Sequence, residues 1–97
     1  MISVAITSSG EIVLKPHKVL LDVLKAKELY LLAEENLKES GKIIVDLDEI
    51  KTITPDGYHE LQKLSGRALE KRCIVRFTNA KTNLDELIET LNLTDES

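Results

Sequence analysis

The chain has 97 residues, 42% hydrophobic and 31% charged, which suits one small folded domain and excludes both a disordered tract and a second core. Aromatic residues are limited to Tyr30, Tyr58 and Phe77, so the core must come from Leu, Ile, Val and Ala. The net charge is −4, and after Lys81 the chain is acidic only, through Asp85, Glu86, Glu89, Asp95 and Glu96. A surface that neutralises phosphates is arranged the other way, so nucleic acid is not an expected partner.

In chain order, ISVAI and EIVLKP read as short β-runs joined through the turn-rich TSSG. From Val23 to Ser40 the period becomes helical, with Ala26, Leu29, Tyr30, Ala33 and Leu37 on one face and Gly41 placed for a left-handed cap. KIIVDL is almost continuously apolar, the pattern of a strand covered on both faces, and CIVRFT is a second buried-strand candidate. Between them a helix is expected from about Pro55 to Lys71, with Leu61, Leu64, Ser65, Ala68 and Leu69 inward. After the loop NAKTN, NLDELIETL places Leu84, Leu87, Ile88 and Leu91 on one face. Thr82 with Asp85, or Asn83 with Glu86, supplies a capping-box start there. Residues 94–97, TDES, are expected to be a frayed tail.

The resulting order, β-β-α-β-α-β-α, predicts an α/β fold. It should be a single-layer, mixed but mostly parallel β-sheet of about four to five strands with three main helices. The N-terminus lacks a basic region followed by an apolar run, and no apolar stretch approaches the roughly 20 residues of a membrane span. A lone Cys73 leaves no internal disulfide framework, and a cytoplasmic protein without direct membrane insertion is expected.

Catalytic signatures are missing: there is no Gly-rich phosphate cradle, no nucleophile elbow and no metal-binding Cys pair. HELQK has Lys63 where a zincin needs its second histidine. Asp46, Asp48 and Glu49 follow a strand end and offer a Mg²⁺ reading, set against solvated acids that cap backbone amides. The expectation is no enzyme and no cofactor or metal.

The start of the second helix is chemically dense. Thr54 can cap, Pro55 fits the first helical position, and Asp56 adds negative charge to the first turn. Gly57 follows where a helix former would do better, either to admit a partner closely or to let the helix pack against a strand. His59, Lys63 and Arg67 recur at i, i+4 and i+8, a basic row on the face opposite the Leu stripe that could dock an acidic partner or simply be a solvated face partly balanced by Glu60 and Glu70.

VDLDEIKTITPDGYHEL resembles the signature of STAS domains, the anti-sigma-factor antagonist fold, which runs approximately D-L-x-x-V-x-x-I-D-S-S-G-L. Asp46-Leu47, Ile50, Ile53 and Gly57 match it without a gap. LDVLKAKEL resembles the family's L-D-x-x-x-A-x-x-L through Leu21, Asp22, Ala26 and Leu29. NLDELIETLNL resembles its last helix, with Asn92-Leu93 where the family typically has G-L. The likeness covers about residues 20–93.

The resemblance implies a single-domain, non-catalytic binding module working in partner switching and transcription regulation. Its partner would be an anti-sigma factor that is a kinase-like ATPase. The family's regulatory phosphate sits on the second serine of D-S-S-G, which here is Asp56, while Thr54 and Pro55 replace the preceding Asp and Ser. A carboxylate accepts no such phosphate but carries a permanent charge. Together with the basic row, this corner gives the expected partner-binding set: Thr54, Pro55, Asp56, Gly57, Tyr58, His59, Lys63 and Arg67. A second implication is an adaptor role in a larger assembly, either a lipid-transport ABC system with its ATPase or a stress-signalling complex. Self-association as a homodimer is left open.

Overall fold

The structure is a computed structural model and describes residues 1–94. Its elements are β1 (Ile2–Ile6), β2 (Ile12–Pro16), β3 (Leu20–Leu21), α1 (Val23–Glu35), β4 (Lys42–Asp46), β5 (Thr52–Ile53), α2 (Pro55–Glu70), β6 (Ile74–Thr78), a 3₁₀ turn (Thr82–Leu84) and α3 (Asp85–Thr94). Of the tail expected at 94–97, Thr94 ends α3, and 95–97 lie outside the described residues.

The main sheet has four strands in the order β1-β2-β4-β6, antiparallel between β1 and β2 and parallel elsewhere. β3 and β5 form a separate two-residue parallel pair, too short to read from periodicity. The register aligns Leu14, Val45 and Phe77 in one row and Ile12, Ile43 and Val75 in the next. These rows face the core with Ala26, Leu29, Leu61, Leu64, Ala68 and Ile88. No described helix is long and apolar enough to cross a membrane.

KIIVDL and CIVRFT are covered on one face, not two. Burial alternates along β4 and β6: Ile43, Val45, Val75 and Phe77 are buried, Ile44 and Arg76 are half-buried, and Ile74 is exposed. A continuous apolar run reports β-propensity as well as burial, which is why it misleads here.

α1 also stops earlier than its apolar spacing suggests. The Leu32 carbonyl, which the next turn would use, accepts instead from the Asn36 side-chain amide at 2.8 Å, and the Asn36 N–H turns to Ala33. The left-handed residue before β4 is Ser40, at φ 66°, rather than Gly41, and the Ser40 N–H donates to the Arg72 carbonyl. On α2 and α3 the flanking Leu69 and Leu87 are exposed while the rest of each stripe is buried. The expected capping box at α3 is replaced by a 3₁₀ turn without a side-chain cap, where Asn83 donates to the Lys51 carbonyl at 3.1 Å.

The motif residues have mechanical roles. Leu21, Ala26, Leu29, Leu47 and Ile50 are all buried. Asp22 caps α1 by accepting from the Lys25 N–H at 2.9 Å. Asp46 Oδ1 receives the Asp48 N–H and the Asn79 side-chain amide, both at 3.0 Å, fixing the turn after β4.

Candidate functional site

The α2 start is built by its own residues and by one close approach. Thr54 is extended (φ −74°, ψ 156°), as an N-cap should be, and Pro55 begins the helix. The Thr54 hydroxyl accepts from the Gly57 N–H at 3.0 Å and donates to Asp56 Oδ1 at 2.7 Å. Asp56 Oδ1 also accepts from the Gly57 N–H at 3.0 Å. Asp56 is exposed, and its Oδ2 has no hydrogen-bond partner among the described residues. The Thr54 hydroxyl, with help from the Gly57 and Asp56 amides, holds the carboxyl below the ordinary aspartate range, so Asp56 is charged at neutral pH.

Gly57 is buried, and the interior accounts for it. A Cβ there would lie 2.6 Å from the Leu21 carbonyl oxygen and 2.9 Å from Thr54 Oγ1. Of the two readings of this glycine, close helix–strand packing is the one visible in the molecule. Tyr58 is half-buried against the core, and its hydroxyl donates to the Leu87 carbonyl at 3.2 Å, tying α2 to α3. The corner therefore offers Pro55, Asp56 and His59 outward, while Thr54, Gly57 and Tyr58 hold it in place.

The basic row is less free than its spacing suggests. It runs along the seam with α1, where Lys63 lies 5.6 Å from the centre of the Tyr30 ring and pairs with Glu60 at 3.2 Å. Arg67 bonds Glu70 at 3.0 Å and lies 3.8 Å from Glu34 of α1. The row lies away from the buried Leu61, Leu64 and Ala68, as the wheel places it, with His59 and Lys63 exposed; only the position of α1 on its flank is not legible from spacing. Tyr30, on the same face of α1 as Ala26 and Leu29, packs against the core and also borders this seam; Glu34 holds its hydroxyl and, with burial, raises its pKa.

The acids after β4 do not converge. Asp48 sits 3.8 Å from Lys15 and 3.7 Å from Lys81, and Glu49 bonds His17 Nδ1 at 2.8 Å. No described cluster of His, Cys, Asp or Glu has a metal-holding arrangement. His17 Nε2 in turn meets Ser3 Oγ at 2.6 Å. This Ser–His–Glu sequence resembles a nucleophilic relay, yet it is exposed, and the Ser3 amide lies opposite Lys15 within the β1–β2 ladder. The contact ties the β1–β2 hairpin to the loop after β4.

No protein-family model matches this chain, and no curated protein matches it. Among solved structures it is similar to murine solute carrier 26 family member A9, an anion transporter in the inward-facing state, with a TM-score of 0.66 at 14% identity. The likeness covers 82% of this chain but only 13% of the transporter, and at that identity it shows the fold alone. With the sheet order and three helices above, the fold is STAS-like.

Proposed function

We propose that the protein is a non-catalytic protein-binding module whose partner reads the outward corner of α2. The observation that carries this is Asp56: one carboxylate oxygen completes the helix cap, and the other is left unpaired beside exposed Pro55 and His59. A fixed charge at a helix start, where a partner's donor can reach it, is a recognition element that needs no phosphate. Phosphorylation does not suit this corner. Asp56 has no hydroxyl, and the Thr54 hydroxyl is engaged as both donor and acceptor. The proposed setting is the cytoplasm, and the proposed partner is an anti-sigma factor of the kinase-like ATPase class.

A second reading, an adaptor subunit bound to an ABC-type ATPase or a stress-signalling assembly, draws support from the same missing hydroxyl. It also fits the structural neighbour, in which the matching region is a small part of a larger transport protein. Both readings meet the same test, affinity capture from native extract with wild type, Asp56→Ser and Asp56→Ala. A partner held by wild type and weakened at least about tenfold by Asp56→Ala supports the module, and the partner's ATPase class chooses between the readings. Equal capture by all three chains removes Asp56 from recognition. Capture of a kinase-like ATPase by the Ser variant alone would mean that Asp56 holds the protein in a released state.

A further inference from the structure

The β1 edge of the sheet has no cover among the described residues. The Met1 carbonyl accepts from the His17 N–H at 2.9 Å, and the Thr7 N–H donates to the Glu11 carbonyl at 2.9 Å. Odd-numbered residues of β1 therefore exchange hydrogen bonds with β2. Antiparallel alternation turns the N–H and C=O of Ile2, Val4 and Ile6 the other way, where no described group meets them. The side chains of these three share the face of Pro16, Leu14 and Ile12, yet Val4 is 51% and Ile6 71% exposed. Edge strands are ordinarily blunted by charge, proline or a covering element. ISVAI has neither charge nor proline, whereas β2, β4 and β6 each carry Lys, Asp or Arg.

We propose that this edge pairs with β1 of a second copy of the chain, antiparallel about a two-fold axis at Val4. Three outward N–H and C=O groups at strand spacing specify an extended backbone as the occupant. Charge selects which one. An uncharged strand is complementary to itself, while a charged segment would find no counter-charge along ISVAI. In this register Ile2 opposes Ile6 of the second copy and Val4 opposes its own counterpart. With two bonds per opposed pair, about six backbone hydrogen bonds form. One face of the new pair then carries only branched aliphatic side chains, and the other sets Ser3 against Ala5, so no like charges meet. The interface does not involve the α2 corner, so it stands or falls separately from partner binding at Asp56.

Sedimentation equilibrium of the whole chain from micromolar to millimolar concentration tests it. Wild type shows a monomer–dimer equilibrium, and Val4→Lys and Val4→Pro each raise the dissociation constant at least about tenfold while far-UV circular dichroism stays native. Proline at position 4 removes an outward donor and leaves the β1–β2 ladder intact. The register has its own readout. Val4→Cys cross-links under mild oxidation because directly opposed Cα atoms lie about 5.5 Å apart, while the two Ile6→Cys positions sit about 13 Å apart along the strands and do not. Cys73 is buried and does not compete. A chain that stays monomeric to millimolar concentration, a dimer untouched by both Val4 substitutions, or cross-linking at Ile6→Cys instead of Val4→Cys would each overturn the proposal.

Discussion

The two edges of the sheet face the same chemical problem and meet it differently. At β6, Asn92 of α3 acts as a one-residue neighbouring strand. Its Oδ1 accepts from the Phe77 N–H and its Nδ2 donates to the Phe77 carbonyl, both at 3.0 Å, while Arg76 reaches the Asn92 carbonyl at 3.3 Å. At β1 the equivalent outward groups of Ile2, Val4 and Ile6 have no such cover among the described residues. IVRFT and ISVAI are both strongly β-prone, so edge protection does not follow from β-propensity. It depends on what the rest of the chain lays against it. Asn92 stands where the STAS pattern typically has glycine, and its amide gives that departure a physical purpose.

The largest test of this contrast is Leu91→Ala. Leu91 is buried, so its loss should cost about 2–5 kcal/mol in urea unfolding and loosen α3 from β6. An effect below that range would mean that α3 is not what seals this edge. Next comes Asn92→Leu, which keeps the bulk but orphans the Phe77 N–H and C=O. A loss of about 1–3 kcal/mol is expected, together with a lower concentration threshold for aggregation as β6 becomes a second open edge. Unchanged stability and solubility would show that the amide is not the seal.

Val4→Lys is smaller still. At concentrations where the chain is monomeric, the denaturation midpoint should move by no more than about 0.5 kcal/mol, since the side chain already meets solvent. A larger loss would mean that β1 is packed by something within its own chain. The smallest effect lies on neither edge. Asp56 has a lowered carboxyl pKa, so it stabilises the folded chain above the unfolded aspartate value of about 3.9, and that contribution fades as pH falls through the lower folded value. Asp56→Asn should flatten the pH dependence of the melting temperature below about pH 4 and leave its shape near neutrality unchanged.

Much of the architecture was legible in the residues. Turn chemistry in TSSG, helical spacing in α1 to α3 and the β-runs between them fixed the order of the main elements but not the short β3–β5 pair or the 3₁₀ turn, and Thr54-Pro55-Asp56 marked the start of α2 to the residue. The surface of that corner was only half legible. Of the two readings that Gly57 admits, partner approach or helix–strand packing, the Leu21 carbonyl 2.6 Å from where its Cβ would be favours the second. In the His59–Lys63–Arg67 row, the balancing Glu60 and Glu70 on the same helix are legible from spacing, whereas Glu34 and Tyr30 on the neighbouring helix come only with the tertiary structure.

The sequence by itself determined what depends on neighbours within about four residues: periodicity, caps, turns and the class of fold they imply. Tertiary structure alone decided which face of β4 and β6 is covered, which flank of α2 meets α1, and which sheet edge is sealed. Those outcomes join residues far apart in the chain, such as Asn92 with Phe77 and His17 with Glu49, at separations of 15 and 32 positions. Local propensity carries no information about such pairings. Parallel pairing of β2 with β4 brings His17 to Glu49, and packing of α3 against β6 brings Asn92 to Phe77.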